Sequence, residues 1–568
     1  MTSSEAKSVD ALTYGLSTLC LGSSFARTTR RLYNPASRPL SRFINNDHAK
    51  YTKKFSLGNG PDDWVAEYMI TKESGKMLGT LVAIAIAKMK NLEAFVWDMP
   101  TGVMSDIFMA LSSLADQPDD CKLSRVWIRW HDNSESHLGL QTSMPNSIGG
   151  TAHVPEGAQL TPVGILLPAH ASHPIPRAPV SYADYHCEYP TFSVLPALKS
   201  LTVLDIDELG YLDEMATLIE RSKNTLQELR VGISSKAAGK NFVQTWDGPG
   251  LRQVDHRARW PGESAIGERR LGGVLGVLVG KVYDIKKIRP SKTKDPRVMA
   301  EEETVTLDSS WPSVTPVTAD LQTEINNLAP TNTSVQSSIT VDQRLQGNAS
   351  PRTHASMRGP RTSKSTQSGR RRLEGKLKLQ TLELERVMLS MQVCRHAFDW
   401  SVLSNLTLLG CAQSHMLWKI LRKQFQPTPI STGYGISSNS KPPAPDAPLQ
   451  YHLALKHIHT DATSPDLLAF IKETLAPNTL EAIFLQDRMR DGPPPVQLGM
   501  IFKALKRHRS SLRKLLLDSS AADQSETRIR WQNWALTTEF MLYITSGRMC
   551  NLRELAVSLH YADWVSTC

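Results

Sequence analysis

The sequence has little cysteine, and its cysteines are not arranged to stabilise a small secreted domain. Seven cysteines are scattered over 568 residues, and no two of them form a CxxC pair. This pattern excludes a disulfide framework and a paired-cysteine zinc knuckle, and it favours the cytoplasm or the nucleus. The chain also lacks an apolar run of about 18 residues and an N-terminal basic segment followed by an apolar one. We therefore expect neither a membrane span nor a secretory signal peptide.

Motifs for cofactors and metals are missing as well. The glycine-rich run 271–280 lacks the GxGxxG spacing of a dinucleotide-binding turn, so we interpret it as a short apolar helix that packs on the flank of the fold. Four residues could in principle bind zinc: His170, His173, His186 and Cys187. Their spacing matches no common zinc finger and their surroundings are rich in proline, so we interpret them as solvated loop residues.

The sequence also contains no nucleophile–base constellation, no motif of paired carboxylates and no phosphate loop. We therefore predict a protein without catalytic residues, bound metal or cofactor. The alternative is an enzyme whose site lies within residues 131–190 or 240–290, where the sequence follows no recognisable pattern.

Positive charge is abundant: the formal net charge is +10 and the isoelectric point is near 9.1. Such a charge favours acidic partners but says nothing about the fold. The arginines Arg370, Arg371 and Arg372 end a basic stretch that begins near Arg352. This stretch is a nuclear import signal, a nucleic-acid contact or a patch regulated by phosphorylation, or else a solvated linker. We do not expect nucleic acid to be the main ligand.

A short motif recurs along the chain: a leucine, two residues, an apolar residue, one residue and another apolar residue. It begins at Leu92, Leu123, Leu198, Leu226, Leu379, Leu403, Leu480, Leu512 and Leu552. Chance alone would give roughly five matches, so the context decides. Residues with helical periodicity follow several motifs, and successive motifs are 24 (379 to 403), 28 (198 to 226), 31 (92 to 123) or 32 (480 to 512) residues apart. This alternation predicts stacked strand–helix units.

The predicted fold class is therefore α/β, an irregular, arc-shaped leucine-rich-repeat solenoid whose short parallel strands line the concave face. A helix-and-strand layer protein of another type is the alternative. The predicted segments are an N-terminal segment 1–50, repeats over 51–233 with a loop insertion at 131–190, a mostly disordered basic insertion rich in Ser, Thr and Pro at 234–372, and repeats over 373–568 with a C-terminus expected to be truncated.

The repeat segments carry a resemblance to a known family. LPALKSLTVLDIDE, NTLQELRVGI, LKLQTLELERV, WSVLSNLTLLGC and NLRELAVSLHY resemble the irregular repeats of fungal F-box/leucine-rich-repeat proteins. The resemblance implies an N-terminal F-box that binds the adaptor of an SCF-type ubiquitin ligase, and repeats that hold the protein substrate. Residues 1–50 lack the Leu-Pro pair that opens an F-box, so residues 12–43 would correspond only to a remnant of its last helices.

The residues between the apolar motif positions should face out from the sheet, where they could bind a protein partner. The candidates are Arg125, Trp127, Arg129, Glu228, Arg230, Glu383, Glu385, Phe484, Gln486, Lys514 and Asp518. Trp127 and Phe484 are the expected anchors, because aromatic residues often dominate interfaces. We predict a substrate receptor of an F-box-type ubiquitin ligase. The alternative is a repeat scaffold without a ligase link that is located in the nucleus through its basic linker.

Overall fold

The structure is a computed structural model. It describes residues 13–20, 47–58, 72–99, 102–116, 121–130, 189–287, 375–430, 448–488, 496–519 and 534–559. The chain divides into two units, Met1–Ile288 with Arg372–Cys568 and Arg289–Arg371, and all described residues belong to the first unit. The predicted loop insertion lies outside the described residues except for its last two positions. The four candidate zinc ligands and the basic stretch ending at Arg372 also lie outside them.

Eleven strands form one sheet in which the spatial order of the strands is their order along the chain. They are β1 (Lys54–Leu57), β2 (Ala94–Met99), β3 (Arg125–Trp130), β4 (Ser200–Ile206), β5 (Glu228–Ile233), β6 (Thr381–Glu385), β7 (Asn405–Leu409), β10 (His457–Thr460), β11 (Ala482–Gln486), β12 (Lys514–Asp518) and β13 (Glu554–Ala556). Every neighbouring pair is parallel. Two short strands, β8 (Thr428–Pro429) and β9 (Leu449–Gln450), form a separate antiparallel pair. The predicted α/β class with a parallel sheet is confirmed.

Parallel neighbours need crossover connections, and helices provide most of them. The helices are α1 (13–20), α2 (His48–Tyr51), α3 (Lys72–Ile86), α4 (Ser105–Ser113), α5 (Leu209–Ser222), α6 (Gly273–Val279), α7 (Met391–His396), α8 (Ser414–Gln424), α9 (Pro465–Glu473), α10 (Leu498–Leu505) and α11 (Thr538–Tyr543). Short 3-10 turns cover Phe192–Val194, Ser235–Ala237, Pro261–Glu263, Ile285–Lys287 and Lys506–His508, and a π-turn covers Ile544–Arg548. Helices α8, α9 and α10 contact one another in sequence, so they form a layer beside the sheet.

The apolar motif positions build the core between the sheet and the helices. In the first motif Leu92, Phe95 and Trp97 are at most 1% exposed. The register places Phe95 beside Phe55 of β1 and Val126 of β3, so equivalent positions stack from strand to strand. The apolar positions of the later motifs are buried in the same way up to β12. The motif of β13 is the exception: Leu555 is 42% exposed, and Leu552 and Val557 are only partly buried.

Strand β10 carries a motif that the leucine pattern does not reveal. Leu455 and Ile458 occupy the first two apolar positions, but the third position is Thr460. Thr460 is nevertheless fully buried, and its hydroxyl accepts a hydrogen bond from the backbone N–H of Ala462 at 3.2 Å. A buried hydroxyl with a partner costs little, so a polar residue can fill this position. Strand β1 also lacks a complete leucine motif, and its buried residues are Phe55 and Leu57.

The first part of the insertion 234–372, which is expected to be mostly disordered, is ordered over residues 235–287. Every residue of α6 is buried, and α6 packs against α5. The expected short apolar helix in the glycine-rich run is thereby confirmed. Apolar side chains such as Phe242 and Val254 join the same core, so this stretch buries enough surface to order its backbone.

A buried ion pair fastens this stretch to α5. The guanidinium of Arg270, 1% exposed, donates two hydrogen bonds to the carboxylate of Asp213, at 2.9 Å (Nη2 to Oδ2) and 3.3 Å (Nη1 to Oδ1). Burial raises the pKa of Asp213 to about 6, although the charge of Arg270 opposes this shift. The remaining donors of Arg270 bond the backbone carbonyls of Gly267, Gln253 and Ile266. A bidentate geometry of this kind fixes the orientation of the two segments.

Helix α1 contributes to the same core. Leu16 and Cys20 are 2% and 4% exposed, and the Cys20 thiol donates to the backbone carbonyl of Leu81 in α3 at 3.2 Å. The apolar side of this part of the expected F-box remnant therefore packs on the layer of helices.

Candidate protein-binding surface

One face of the sheet packs against the helices, and the residues that alternate with the buried positions point to the other face, which we call the outer face. The register aligns these residues in rows that cross the strands. The first row contains Lys54, Ala94, Arg125, Ser200, Glu228 and Thr381. The second row contains Ser56, Val96, Trp127, Thr202, Arg230 and Glu383. Each row therefore brings residues that are distant in sequence to neighbouring positions.

A groove of about 500 Å³ lies on the outer face over strands β1 to β6. Side-chain size explains it. Strand β2 contributes Ala94 and Val96 and β4 contributes a serine and a threonine, whereas β3 contributes Arg125 and Trp127. The large side chains of β3 therefore form a ridge between two troughs above β2 and β4. Trp127 is half-buried in this ridge, and it has no aromatic partner among the described residues.

The charges of the outer face fall into two groups. Arg230 pairs with Glu383 across β5 and β6 at 3.1 Å. By contrast, Lys54, Arg125 and Glu228 have no ion-pair partner within the described ranges. Lys54 and Arg125 are exposed, and Glu228 is half-buried. The groove thus contains two cations and one anion whose charges are not neutralised by a neighbouring side chain.

A network of charges lies beyond the carboxyl ends of these strands. Asp205 follows the last regular pair of β4 in the left-handed region (φ +59°), which aspartate adopts more readily than most residues. Its carboxylate accepts from Arg129 Nε at 3.0 Å and from Arg386 Nη2 at 2.7 Å. Arg386 also pairs with Glu385 at 2.7 Å and donates to the carbonyl of Ile233 at 2.6 Å. The network ties β3 and β4 to the loop after β6.

The pKa of Arg129 responds to this network. Burial lowers it, but the hydrogen bond to Asp205 and the charges of Asp205, Asp98 and Glu385 raise it, and the net result is a pKa above the ordinary value. Arg129 is therefore a permanent cation committed to a structural contact.

A second cluster lies on the outer face over β10 to β12. The rings of His459 and Phe484 stack with centroids 4.3 Å apart and an angle of 15° between their planes. Burial lowers the pKa of His459, although a hydrogen bond with Gln486 opposes the shift. The Gln486 amide and Arg488 both donate to Asp518 Oδ2 at 3.1 Å. Lys514 pairs with Glu554 at 2.8 Å, so most charges of this cluster are neutralised.

All eleven sequence-predicted residues lie on strands of the large sheet, but the structure does not bring them together as one site. Five of them line the groove: Arg125, Trp127, Glu228, Arg230 and Glu383. Two belong to the Asp205 network: Arg129 and Glu385. Four belong to the second cluster: Phe484, Gln486, Lys514 and Asp518. Gln486 is only 6% exposed and Phe484 is covered on one side by His459, so these two offer less surface than expected. A binding role for any of the eleven stays a prediction.

Sequence reasoning missed four residues of these clusters: Lys54, Asp205, Arg386 and His459. Lys54 and His459 lie on strands whose motifs are incomplete in leucine. Asp205 lies near the carboxyl end of β4 and Arg386 directly follows β6, and a charged residue at the carboxyl end of a parallel strand could have served as a signal for them.

In comparisons with family models, curated proteins and solved structures, no match to the chain is found. Within the described ranges no group of three or more His, Cys, Asp or Glu side chains is placed to hold a metal ion. Among the helices of the described residues, none is both long enough and apolar enough to cross a bilayer.

Proposed function

We propose that this chain is a protein-binding scaffold, a leucine-rich-repeat solenoid that holds its partner on the outer face of the sheet. The observation that carries the proposal is the groove over β1 to β6, where half-buried Trp127 stands beside Arg125 on a rigid strand. Tryptophan and arginine are the residue types that most often anchor interfaces. The solenoid form is supported by the strand order, which equals the sequence order, and by the constant register of the motif positions.

A photo-crosslinking amino acid at position 127 tests the proposal in cells. We expect a discrete crosslinked protein at position 127 and none at position 109, because Met109 is 50% exposed but lies on α4, in the layer of helices. Identical products at both positions, or none at position 127, would contradict a binding role for the groove.

Two tryptophans on adjacent strands provide the matching stability test. Trp97 is 1% exposed and points into the core, whereas Trp127 points outward. Trp97→Ala should reduce the free energy of unfolding by about 3–5 kcal/mol. Trp127→Ala should reduce it by about 1 kcal/mol at most, as for other surface changes. Urea unfolding measures both values. A large loss for Trp127→Ala would mean that this side chain serves the core.

The more specific form of the proposal is substrate recognition for an F-box-type ubiquitin ligase. It rests on the resemblance of the repeats to those of F-box/leucine-rich-repeat proteins. Co-purification of the full chain with the F-box-binding adaptor tests it, with an authentic F-box protein as competitor. Binding that the competitor displaces would support a ligase subunit.

A scaffold without a ligase link is the second candidate, and one observation favours it. Leu16 and Cys20 of α1 are buried in the core, so they cannot contact an adaptor without leaving it. If the adaptor does not bind, this candidate is preferred. Deletion of residues 352–372 then tests a nuclear role: loss of nuclear accumulation would identify the basic stretch as an import signal, and unchanged localisation would remove it from the argument.

A further inference from the structure

Most cations of the outer face have a carboxylate partner within the chain, whereas two cations of the groove do not. On the strands and in the loops just beyond them, the cations Arg129, Arg230, Arg488 and Lys514 each pair with a carboxylate at 3.0, 3.1, 3.1 and 2.8 Å, respectively. Of the acids that line the groove, Glu383 is paired with Arg230, and Asp98 lies opposite Arg129 in the register and raises its pKa. These charges are already compensated within the chain.

Lys54 and Arg125 are different, because both are exposed and neither has an ion-pair partner among the described residues. They lie in the same row, on either side of Ala94. Two strand spacings separate their backbones by about 10 Å. The small side chain of Ala94 leaves room between them, and Val96 and Trp127 line the groove in the next row. This arrangement is a cationic pocket with one aromatic wall, Trp127.

The row continues across the ridge to Glu228. From Lys54 to Glu228 the row crosses four strand spacings, about 19 Å, which an extended peptide covers with about six residues. The unpaired charges along this line are therefore positive, positive and negative. A ligand that complements them carries acidic groups at the β1–β3 end and a neutral or basic group near Glu228.

We propose that the groove binds an acidic linear segment of a protein partner, with its carboxylates between Lys54 and Arg125 and an apolar side chain against Trp127. The inference rests on the proposed function, because it assigns the ligand of the same surface. The net charge of +10 is consistent with it, since a basic protein attracts acidic partners over a longer range. Binding should weaken as the salt concentration rises, because exposed charges are screened.

Selection from a phage-displayed library of random linear peptides on the immobilised full chain tests the inference. We expect the enriched peptides to be rich in Asp and Glu. The double variant Lys54→Glu/Arg125→Glu should bind these peptides at least about tenfold more weakly and should enrich basic peptides instead. Lys419→Glu/Lys423→Glu is the matched control: it also reverses two charges, at exposed positions of α8 in the layer of helices, and should leave the enriched set unchanged. Equal melting temperatures of all variants exclude misfolding.

The other outcomes separate the two proposals. Enriched peptides without an acidic bias that still require Trp127 would overturn the acidic ligand and leave the protein-binding groove in place. Peptides that bind the double variant and Trp127→Ala as tightly as the unmodified chain would place the ligand elsewhere and overturn the inference. An empty selection would also overturn it, because a linear acidic segment should be present in the library. The crosslinking experiment at position 127 decides on the proposed function independently.

Discussion

In two regions of the sheet, different side chains form hydrogen bonds with the same backbone groups, the N–H and the carbonyl of the first leucine of a motif. Between β4 and β5, the backbone N–H of Leu198 donates to Ser222 Oγ at 3.0 Å, and the Thr225 hydroxyl donates to the Leu198 carbonyl at 2.8 Å. Leu198 is the first leucine of its motif, and its peptide groups are buried just before the strand begins. Side chains from the end of the following helix thus satisfy both backbone groups.

Between β11 and β12 a histidine accepts the hydrogen bond of the equivalent backbone N–H. The backbone N–H of Leu480 donates to His508 Nδ1 at 3.4 Å, and the Ser511 hydroxyl donates to the Leu480 carbonyl at 2.6 Å. In both regions the two partner side chains are three residues apart: Ser222 and Thr225 in the first, His508 and Ser511 in the second. A buried peptide group must be paired, but the fold does not prescribe which side chain pairs it. The position of the hydrogen-bonding side chain is therefore the same in the two regions, whereas the residue at that position differs.

The largest expected effect tests whether the two regions are equivalent in their cores. Leu229 of β5 and Leu515 of β12 occupy the same motif position, and both are at most 1% exposed. Leu229→Ala and Leu515→Ala should each reduce the free energy of unfolding by about 2–5 kcal/mol. Glu228→Ala and Lys514→Ala, one residue earlier and outward, should change it by less than about 0.5 kcal/mol. Urea unfolding of the four variants gives the comparison.

A clearly smaller effect for one leucine, with a smaller dependence on urea, would show that its region unfolds separately from the other. Such a result would break the equivalence, because repeat units that stack only on their neighbours can unfold in parts.

A medium effect is expected where the two regions differ in the burial of a carboxylate. The side chain of Asp205 is 14% exposed and is held by two arginines, whereas that of Asp518 is 29% exposed and is held by Gln486 and one arginine. Asp205→Asn keeps a residue that tolerates the left-handed backbone but removes the charge, and should cost about 2 kcal/mol. Asp518→Asn should cost less than about 1 kcal/mol. Thermal unfolding of the two variants measures the difference, and equal losses would contradict the role assigned to burial.

The leucine motif predicted most of the sheet because the inward positions obey a simple rule: they must be apolar and regularly spaced. Where a polar residue could be satisfied locally, as at Thr460, the rule failed and β10 was missed. Within residues 235–287 the sequence predicted the apolar helix α6 but not how the rest of the stretch packs. That packing depends on contacts distant in sequence, above all on the ion pair of Arg270 with Asp213, which no local pattern reveals.

The outer face was predicted only as a set of residues. Alternation along each strand identified which side chains face outward, but the register decides which of them are neighbours. Lys54 and Arg125 are 71 residues apart in the sequence, and only the pairing of β1, β2 and β3 places them in one row. The partition into paired and unpaired charges depends on these distances, so it could not be read from the sequence.

Residues 506–509 also show that the sequence does not reveal which side chains are in contact. They read Lys-Arg-His-Arg, which by itself suggests four cations at the end of a helix. His508 is instead fully buried, with Nδ1 accepting from Leu480 and Nε2 at 3.3 Å from the Ile471 carbonyl. The first contact requires an unprotonated Nδ1, so the imidazole is neutral. Burial lowers its pKa below the ordinary value of 6.5, and the charge of Arg507 lowers it further, although the bond to Ile471 opposes both. The serine of the β4–β5 region cannot respond to pH in this way.

The smallest expected effect is therefore a pH dependence of the contacts between β11 and β12 that the contacts between β4 and β5 lack. Because the folded pKa of His508 lies below 6.5, the unfolded chain takes up the proton first as the pH falls. The contribution of His508 to stability is complete above pH 6.5 and decreases as the pH falls through 6.5 towards the folded pKa. His508→Asn retains a carbonyl acceptor near Nδ1 and cannot titrate. Melting temperatures over this range should fall more steeply for the unmodified chain than for His508→Asn, since all other histidines are common to both. Ser222→Ala should lower the melting temperature by the same amount at every pH. If the melting temperatures of the unmodified chain and His508→Asn change with pH in the same way, protonation of His508 does not affect stability in this range.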